Sequence, residues 1–141
     1  MKTNYRIVDD LLKYIGKHFD KNPQNMFFIY DNCLKYAKVK KVDLNKKTIT
    51  LSRDEVVSIY NNRFQIIFKK RRNDCVPSSL ALHFLLYLFG YDSVFYIGVY
   101  RFPFSSHAWV EDFNGNILNS FPHLCKDRII LLEKRLLCND L

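Results

Sequence analysis

The chain has 141 residues, with 22 Lys and Arg against 14 Asp and Glu, a formal charge of +8. That length allows one compact core, or a small core with a helper segment, and excludes two full-sized domains. Hydrophobic content of 48%, aromatic content of 16% and only four Gly and four Pro exclude disorder, collagen-like repeats and low complexity.

From the first residues onward, Ile7, Val8, Leu11, Leu12, Ile15 and Phe19 recur at spacings of three and four, which predicts an amphipathic helix lying on a core. Met26 to Ile29, followed by Tyr30, Leu34 and Tyr36, suits a second helix better than a strand. Val39 to Leu44 and Thr48 to Leu51 flank Asn45-Lys46-Lys47 and read as a hairpin. Ser52-Arg53-Asp54-Glu55 is a capping box opening a short helix through Val56, Val57 and Tyr60. Phe64 to Phe68 reads as a strand, and the run Lys69-Lys70-Arg71-Arg72 after it as a solvated loop. Val76 to Phe89 is apolar on nearly every side, so it predicts a buried helix that Gly90 stops. The longest stretch without a formal charge, Cys75 to Tyr91, is short of the roughly 20 residues of a membrane span. Ser93 to Tyr100 predicts a strand and Arg101 to Phe104 a loop. Ser106 to Asp112 and Asn116 to Phe121 surround Asn114-Gly115 as a hairpin, and Arg128 to Leu137 is an apolar tail compatible with strand or helix.

Charge divides the chain. Up to Asp74 there are 17 basic and 8 acidic residues, a net +9, and from Cys75 onward 5 basic and 6 acidic, a net −1. A basic front suits docking of an acidic substrate or partner. No RNA- or DNA-binding fingerprint accompanies it, so no nucleic-acid partner is expected. Four widely spaced cysteines do not make a disulfide framework, and MKTNYRIVDD has no signal-like apolar run. A reduced, cytoplasmic protein is expected.

The chemistry-bearing residues lie in the back half. Cys75 stands at the head of the buried helix, where unpaired backbone N–H groups and the helix dipole favour a thiolate. Pro77 fits the first turn, where its missing N–H has no helical partner. His107 lies on a strand separated from this helix by another strand. A thiol on a helix N-terminus and an imidazole on an antiparallel sheet form the pair that withdraws the thiol proton and later protonates a leaving amine. Trp109 and Glu111 share the face of His107, Trp109 as a packing residue and Glu111 as a partner for a basic side chain at the sheet edge. His83 reads as a core histidine and His18 as a helix-end residue. His123 and Cys125 lack the spacing of a zinc site, and Cys33, Cys125 and Cys138 are assigned to packing or surface.

Cys75-Val76-Pro77-Ser78-Ser79-Leu80-Ala81-Leu82, Tyr96-Ile97-Gly98-Val99, Phe104-Ser105-Ser106-His107-Ala108-Trp109-Val110-Glu111, Gly115 and Ile117-Leu118-Asn119 together resemble the lasso-peptide B protein family. These are transglutaminase-like cysteine proteases that remove the leader from lasso-peptide precursors. The resemblance covers about Cys75 to Pro122. It implies that Cys75 is the nucleophile, forming an acyl-enzyme at the leader–core junction, and that His107 is the general base. The family's third member is usually an Asp on the next strand. Counting from His107 puts it at Asn119, and counting from Gly115 at Ser120, because the turn holds one extra residue. Asn119 is preferred, since an amide carbonyl can hold the imidazole, and a register slip of one exchanges the two. Ser78 stands where many relatives carry Arg.

The implied fold is α+β: a papain/transglutaminase-like core, residues 73–141, with the nucleophile's helix packed on an antiparallel sheet. A small basic helical and hairpin segment, residues 1–72, precedes it. The implied partners are the precursor's leader, a leader-binding partner protein and an ATP-dependent lasso cyclase that acts on the released core. No metal or organic cofactor is expected. Two other functions remain compatible with the residues: a non-catalytic peptide- or nucleic-acid-binding module on the same fold, and a related thiol amidase or acyltransferase.

Overall fold

The structure is a computed structural model describing residues 2–21, 26–45, 50–67 and 75–138. Helix α1 (Lys2–Lys21) buries the predicted stripe of Ile7, Val8, Leu11, Leu12, Ile15 and Phe19. It is tied to a later helix by a forked ion pair, with Arg63 Nε and Nη2 donating to Asp9 Oδ1 and Oδ2 at 2.8 and 2.6 Å.

Helix α2 (Met26–Asn45) runs straight through the segment predicted as the first arm of a hairpin. Its buried residues Ile29, Tyr30, Cys33, Ala37 and Leu44 form one stripe at helical spacing. Val39 and Val42, which suggested a strand, sit on its exposed side. The remaining hairpin residues 46–49 lie outside the described residues. Helix α3 (Arg53–Ile67) starts at the predicted capping box: Glu55 N–H donates to Ser52 Oγ at 3.1 Å and Ser52 N–H to Glu55 Oε1 at 3.0 Å. It too continues where a strand was predicted. Phe64 and Ile67 extend the spacing of Val56 and Tyr60, and the Phe64 ring packs on Tyr60 at 5.6 Å. Lys69 to Arg72 lie outside the described residues.

Helix α4 (Cys75–Leu88) is buried from Ser79 to Leu88, enclosed by α1, α2, α3 and the sheet. Its end is a Schellman arrangement: Tyr91 N–H reaches Leu86 O at 2.8 Å and Gly90 N–H reaches Tyr87 O at 3.2 Å, with Gly90 at φ +94°. Lys41 Nζ donates to the Tyr87 carbonyl at 2.6 Å, placing a cation at the negative end of the helix dipole.

Strands β1 (Ser93–Arg101), β2 (Phe104–Glu111) and β3 (Ile129–Leu136) form an antiparallel sheet in the order β2-β1-β3. The apolar tail is therefore a strand on the far side of β1. Asn116 to Phe121, predicted as a strand, makes only one bridge, Glu111 with Ile117. Asp112 gathers the intervening turn by accepting from Asn114 N, Asn116 N, Asn116 Nδ2 and Arg53 Nη1 at 2.8–2.9 Å. After the bridge the backbone leaves the strand, and a side chain continues its hydrogen bonding, as described below. A four-residue helix, α5 (Pro122–Cys125), follows, in a stretch for which no element was predicted. The fold class is α+β, with one buried cluster running from α1 to β3.

Candidate active site

The edge of β2 remote from β1 organises the site. In an antiparallel strand alternate residues turn their backbone groups toward each neighbour. Ala108 N–H points away from β1 and donates to Cys75 Sγ at 3.3 Å, and Val110 N–H points the same way and donates to Asn119 Oδ1 at 2.9 Å. Leu118 N–H meanwhile donates to Val110 O at 2.9 Å. The thiol at the head of α4 and the Asn119 amide together close the free edge of β2. Cys75 is half-buried, and its sulfur accepts from the residue next to His107.

His107 is half-buried on the opposite face of β2 from Ala108 and Val110. Its Nε2 is 2.7 Å from Ser120 Oγ. Among the described residues Nδ1 has no hydrogen-bond partner. Burial first, and then the nearby Arg128 guanidinium, pull the imidazole below its ordinary range, which favours the neutral ring. The ring is stacked on Trp109, with centroids 6.0 Å apart and planes 18° apart, and Trp109 is stacked on Tyr96 at 5.4 Å. Trp109 is 2% exposed, a packing residue as expected, and its indole N–H donates to Glu111 Oε2 at 2.8 Å. Glu111 thus holds the indole rather than the basic partner expected for it.

Opposite His107 in the register is Gly98. A Cβ there would stand 2.9 Å from Arg128 Cβ and 3.0 Å from the Trp109 ring, so the absent side chain lets both lie across the sheet. Arg128 Nη1 donates to Ser105 O at 3.0 Å, and its guanidinium sits 4.1 Å from the Tyr100 ring centroid. No sequence motif marks Arg128. The glycine among bulky strand residues was the one signal of something crossing that face.

The preferred third residue is not on the imidazole. Asn119 spans the site structurally, its Oδ1 accepting from Val110 N–H and its Nδ2 donating to Ser79 Oγ at 2.9 Å. Ser120, the alternative, reaches His107. The turn at Asp112 to Gly115 holds the extra residue, so the position aligned from Gly115 is the one that meets the ring. The Cys125 thiol, whose ionisation is pushed up mainly by burial, donates to Phe121 O at 3.7 Å. Cys125 is buried and His123 is exposed and stacked on Phe121, so this pair is not arranged to share an ion. Close to Cys75 in α4, Ser78 is hydrogen-bonded to the buried phenol of Tyr60 from α3. Among the described residues no cluster of three His, Cys, Asp or Glu could hold a metal ion, and no helix is long and apolar enough to cross a membrane.

The profile of the transglutaminase-like superfamily matches residues 45–127, more than half of the chain. The chain belongs to that superfamily, which includes cysteine peptidases and acyltransferases. No curated protein and no solved structure matches it.

Proposed function

We propose that the chain is a cysteine peptidase that removes the leader from a lasso-peptide precursor. The observation that carries the catalytic part is the 3.3 Å hydrogen bond from Ala108 N–H to Cys75 Sγ, which fixes the thiol beside the strand residue adjoining His107. Superfamily membership supports thiol chemistry, and the sequence resemblance around Cys75 and His107 supports the leader–core junction as its substrate.

In this reading Ser120 accepts the Nε2 proton of His107, so the neutral ring presents Nδ1 as the base. The imidazole is biased toward neutrality, so its Nδ1 is available to take the thiol proton as sulfur attacks the scissile carbonyl. The Ala108 N–H stabilises the negative charge on sulfur, and the Cys75 backbone N–H, which has no partner within the helix, faces the developing oxyanion. The imidazolium then protonates the leaving amine, and water resolves the acyl-enzyme by the reverse path. Ser120 is a positioning residue, and Asn119 and Ser79 hold the edge of β2 on α4. The basic front, residues 1–72, serves partner or substrate docking. A leader-binding protein supplies the substrate, and an ATP-dependent cyclase consumes the product.

The test is incubation of the protein, with a leader-binding partner, and a lasso-peptide precursor, read by intact mass. A single cut at the leader–core junction, abolished by Cys75→Ala, is expected. Cys75→Ala cutting as well as wild type would overturn the reading. Transfer of the acyl group to an added amine with no hydrolysis would assign an acyltransferase instead.

A further inference from the structure

The two edges of the sheet are treated differently. The β2 edge is closed by Cys75 and Asn119, whereas β3 forms the other edge and carries apolar side chains into solvent: Leu131 is 63% exposed, Ile129 45%, Ile130 44% and the following Leu137 39%. No proline interrupts Ile129–Leu136; the register slips at Leu131, the extra residue between the partners of Ile97 and Gly98, and beyond it the pairing is regular from Leu132 to Leu136, where an uncovered edge is a template for another strand.

The hydrogen-bond parity of the sheet says which groups are offered. Because Ala108 and Val110 point away from β1, their β1 partners Ile97 and Phe95 direct their N–H and C=O toward β3, where they meet Leu132 and Lys134. The backbone groups of Glu133 and Arg135 therefore face the open edge. Glu133 and Arg135 share one face of the strand, where they are paired at 3.1 Å.

We propose that a second copy of this chain occupies the edge, its β3 antiparallel to the first about a two-fold axis at Lys134. In this register Glu133 of each copy opposes Arg135 of the other, through hydrogen-bonded pairs made by the outward-facing backbone groups. The two three-stranded sheets become one of six strands. The two Lys134 side chains meet at the axis on the other face, where each lies 5.4 Å from the ring centroids of its own Phe27 and Tyr30. Two +8 chains repel, so added salt tightens the dimer. An acidic peptide strand on the same edge would be weakened by salt. The interface lies on the opposite side of β1 from Cys75, so it leaves the site at the β2 edge uncovered.

Sedimentation velocity of the whole chain across about 1 to about 100 µM tests this, since a dimer's population follows concentration. The mass should rise from 16.9 kDa toward twice that value. Glu133→Arg should weaken the dimer by about tenfold or more, and Glu133→Arg with Arg135→Glu should restore it to within about threefold. Both residues are exposed, and circular dichroism verifies that the variants fold. Lys134→Cys should give a disulfide-linked dimer under mild oxidation, because non-hydrogen-bonded partners place their Cα atoms about 4.5 Å apart. A monomer across the whole range, failure of the double variant to restore association, or Lys134→Cys cross-linking no faster than wild type would each overturn the proposal.

Discussion

His83 offers a prediction whose size follows from its surroundings. It is fully buried in α4, with Nε2 2.7 Å from Tyr30 Oη on α2 and Nδ1 2.7 Å from Ser93 Oγ at the start of β1. Phe84 and Phe95 pack around the ring at 5.2 and 5.9 Å. Burial pushes its pKa from 6.5 down to about 3. The unfolded chain therefore takes up a proton that the folded chain refuses. Stability is full above about pH 6.5 and falls as pH drops through that value toward 3. A gap of about 3.5 units at roughly 1.4 kcal/mol per unit amounts to about 5 kcal/mol when fully expressed, of which about 2 kcal/mol is lost between pH 8 and pH 5. His83→Gln keeps an amide able to bond Tyr30 and Ser93 but cannot titrate. Urea unfolding of both proteins at pH 8 and pH 5 should show wild type losing about 2 kcal/mol more than the variant. The His83 ring signals in a proton NMR titration should stay unmoved down to about pH 4. Parallel pH dependence in the two proteins, or a ring that titrates near its ordinary value, would refute the assignment of a neutral, load-carrying imidazole at the junction of α2, α4 and β1.

Four further outcomes follow from the site and its frame. Ser120→Ala should lower kcat for precursor cleavage by up to about a hundredfold with little change in KM, measured by steady-state kinetics, because the imidazole loses the group that orients it. Ser120→Asp should raise the pKa of His107 by placing a carboxylate on Nε2, moving the acidic limb of the kcat/KM profile to higher pH. Gly98→Ala should cost roughly 1–3 kcal/mol in thermal unfolding, since the new methyl group meets Arg128 and Trp109 at 3.0 Å or less. Ser52→Ala removes half of the capping box of α3 and should cost about 1 kcal/mol with no effect on the pH profile of cleavage.

What the sequence disclosed was whatever depended on local patterning. The stripe of α1, the capping box at Ser52, the all-round burial of α4 and its stop at Gly90 are each set by residues within a few positions of one another. The errors arose where a short apolar run was read without the surface it packs on. Val39 to Leu44 and Phe64 to Ile67 look like strands in isolation. In the fold they continue helical stripes whose inner residues, Ala37 and Leu44 in one case and Tyr60 and Phe64 in the other, are held by the shared core. The Cys75 and His107 elements were legible because each carries its own local signature. The choice between Asn119 and Ser120 was not, since it turns on how one extra turn residue is absorbed. Arg128 was invisible because its contacts with Ser105, Gly98 and Tyr100 arise only when β3 returns to the far side of β1.

The displacement of Asn119 from the imidazole has a consequence for how the site is built. An edge strand must satisfy or hide its outward N–H groups, and here those of Ala108 and Val110 are taken by the candidate nucleophile and by the amide next to Ser120. The hydrogen bonds that finish the sheet are therefore the ones that set the thiol and the third residue in place. Asn119 is the joint between them, holding β2 through Val110 and α4 through Ser79, one helical turn beyond Cys75. Losing it would leave a backbone N–H and a buried hydroxyl unpaired, costing about 1–3 kcal/mol, and would also loosen the backbone that carries Ser120. Asn119→Ala should thus lower both the unfolding free energy and kcat, whereas Ser120→Ala should lower kcat alone. If Asn119→Ala lowered kcat with stability unchanged, the amide would be acting on the chemistry directly, and the division of roles between these adjacent residues would have to be reversed.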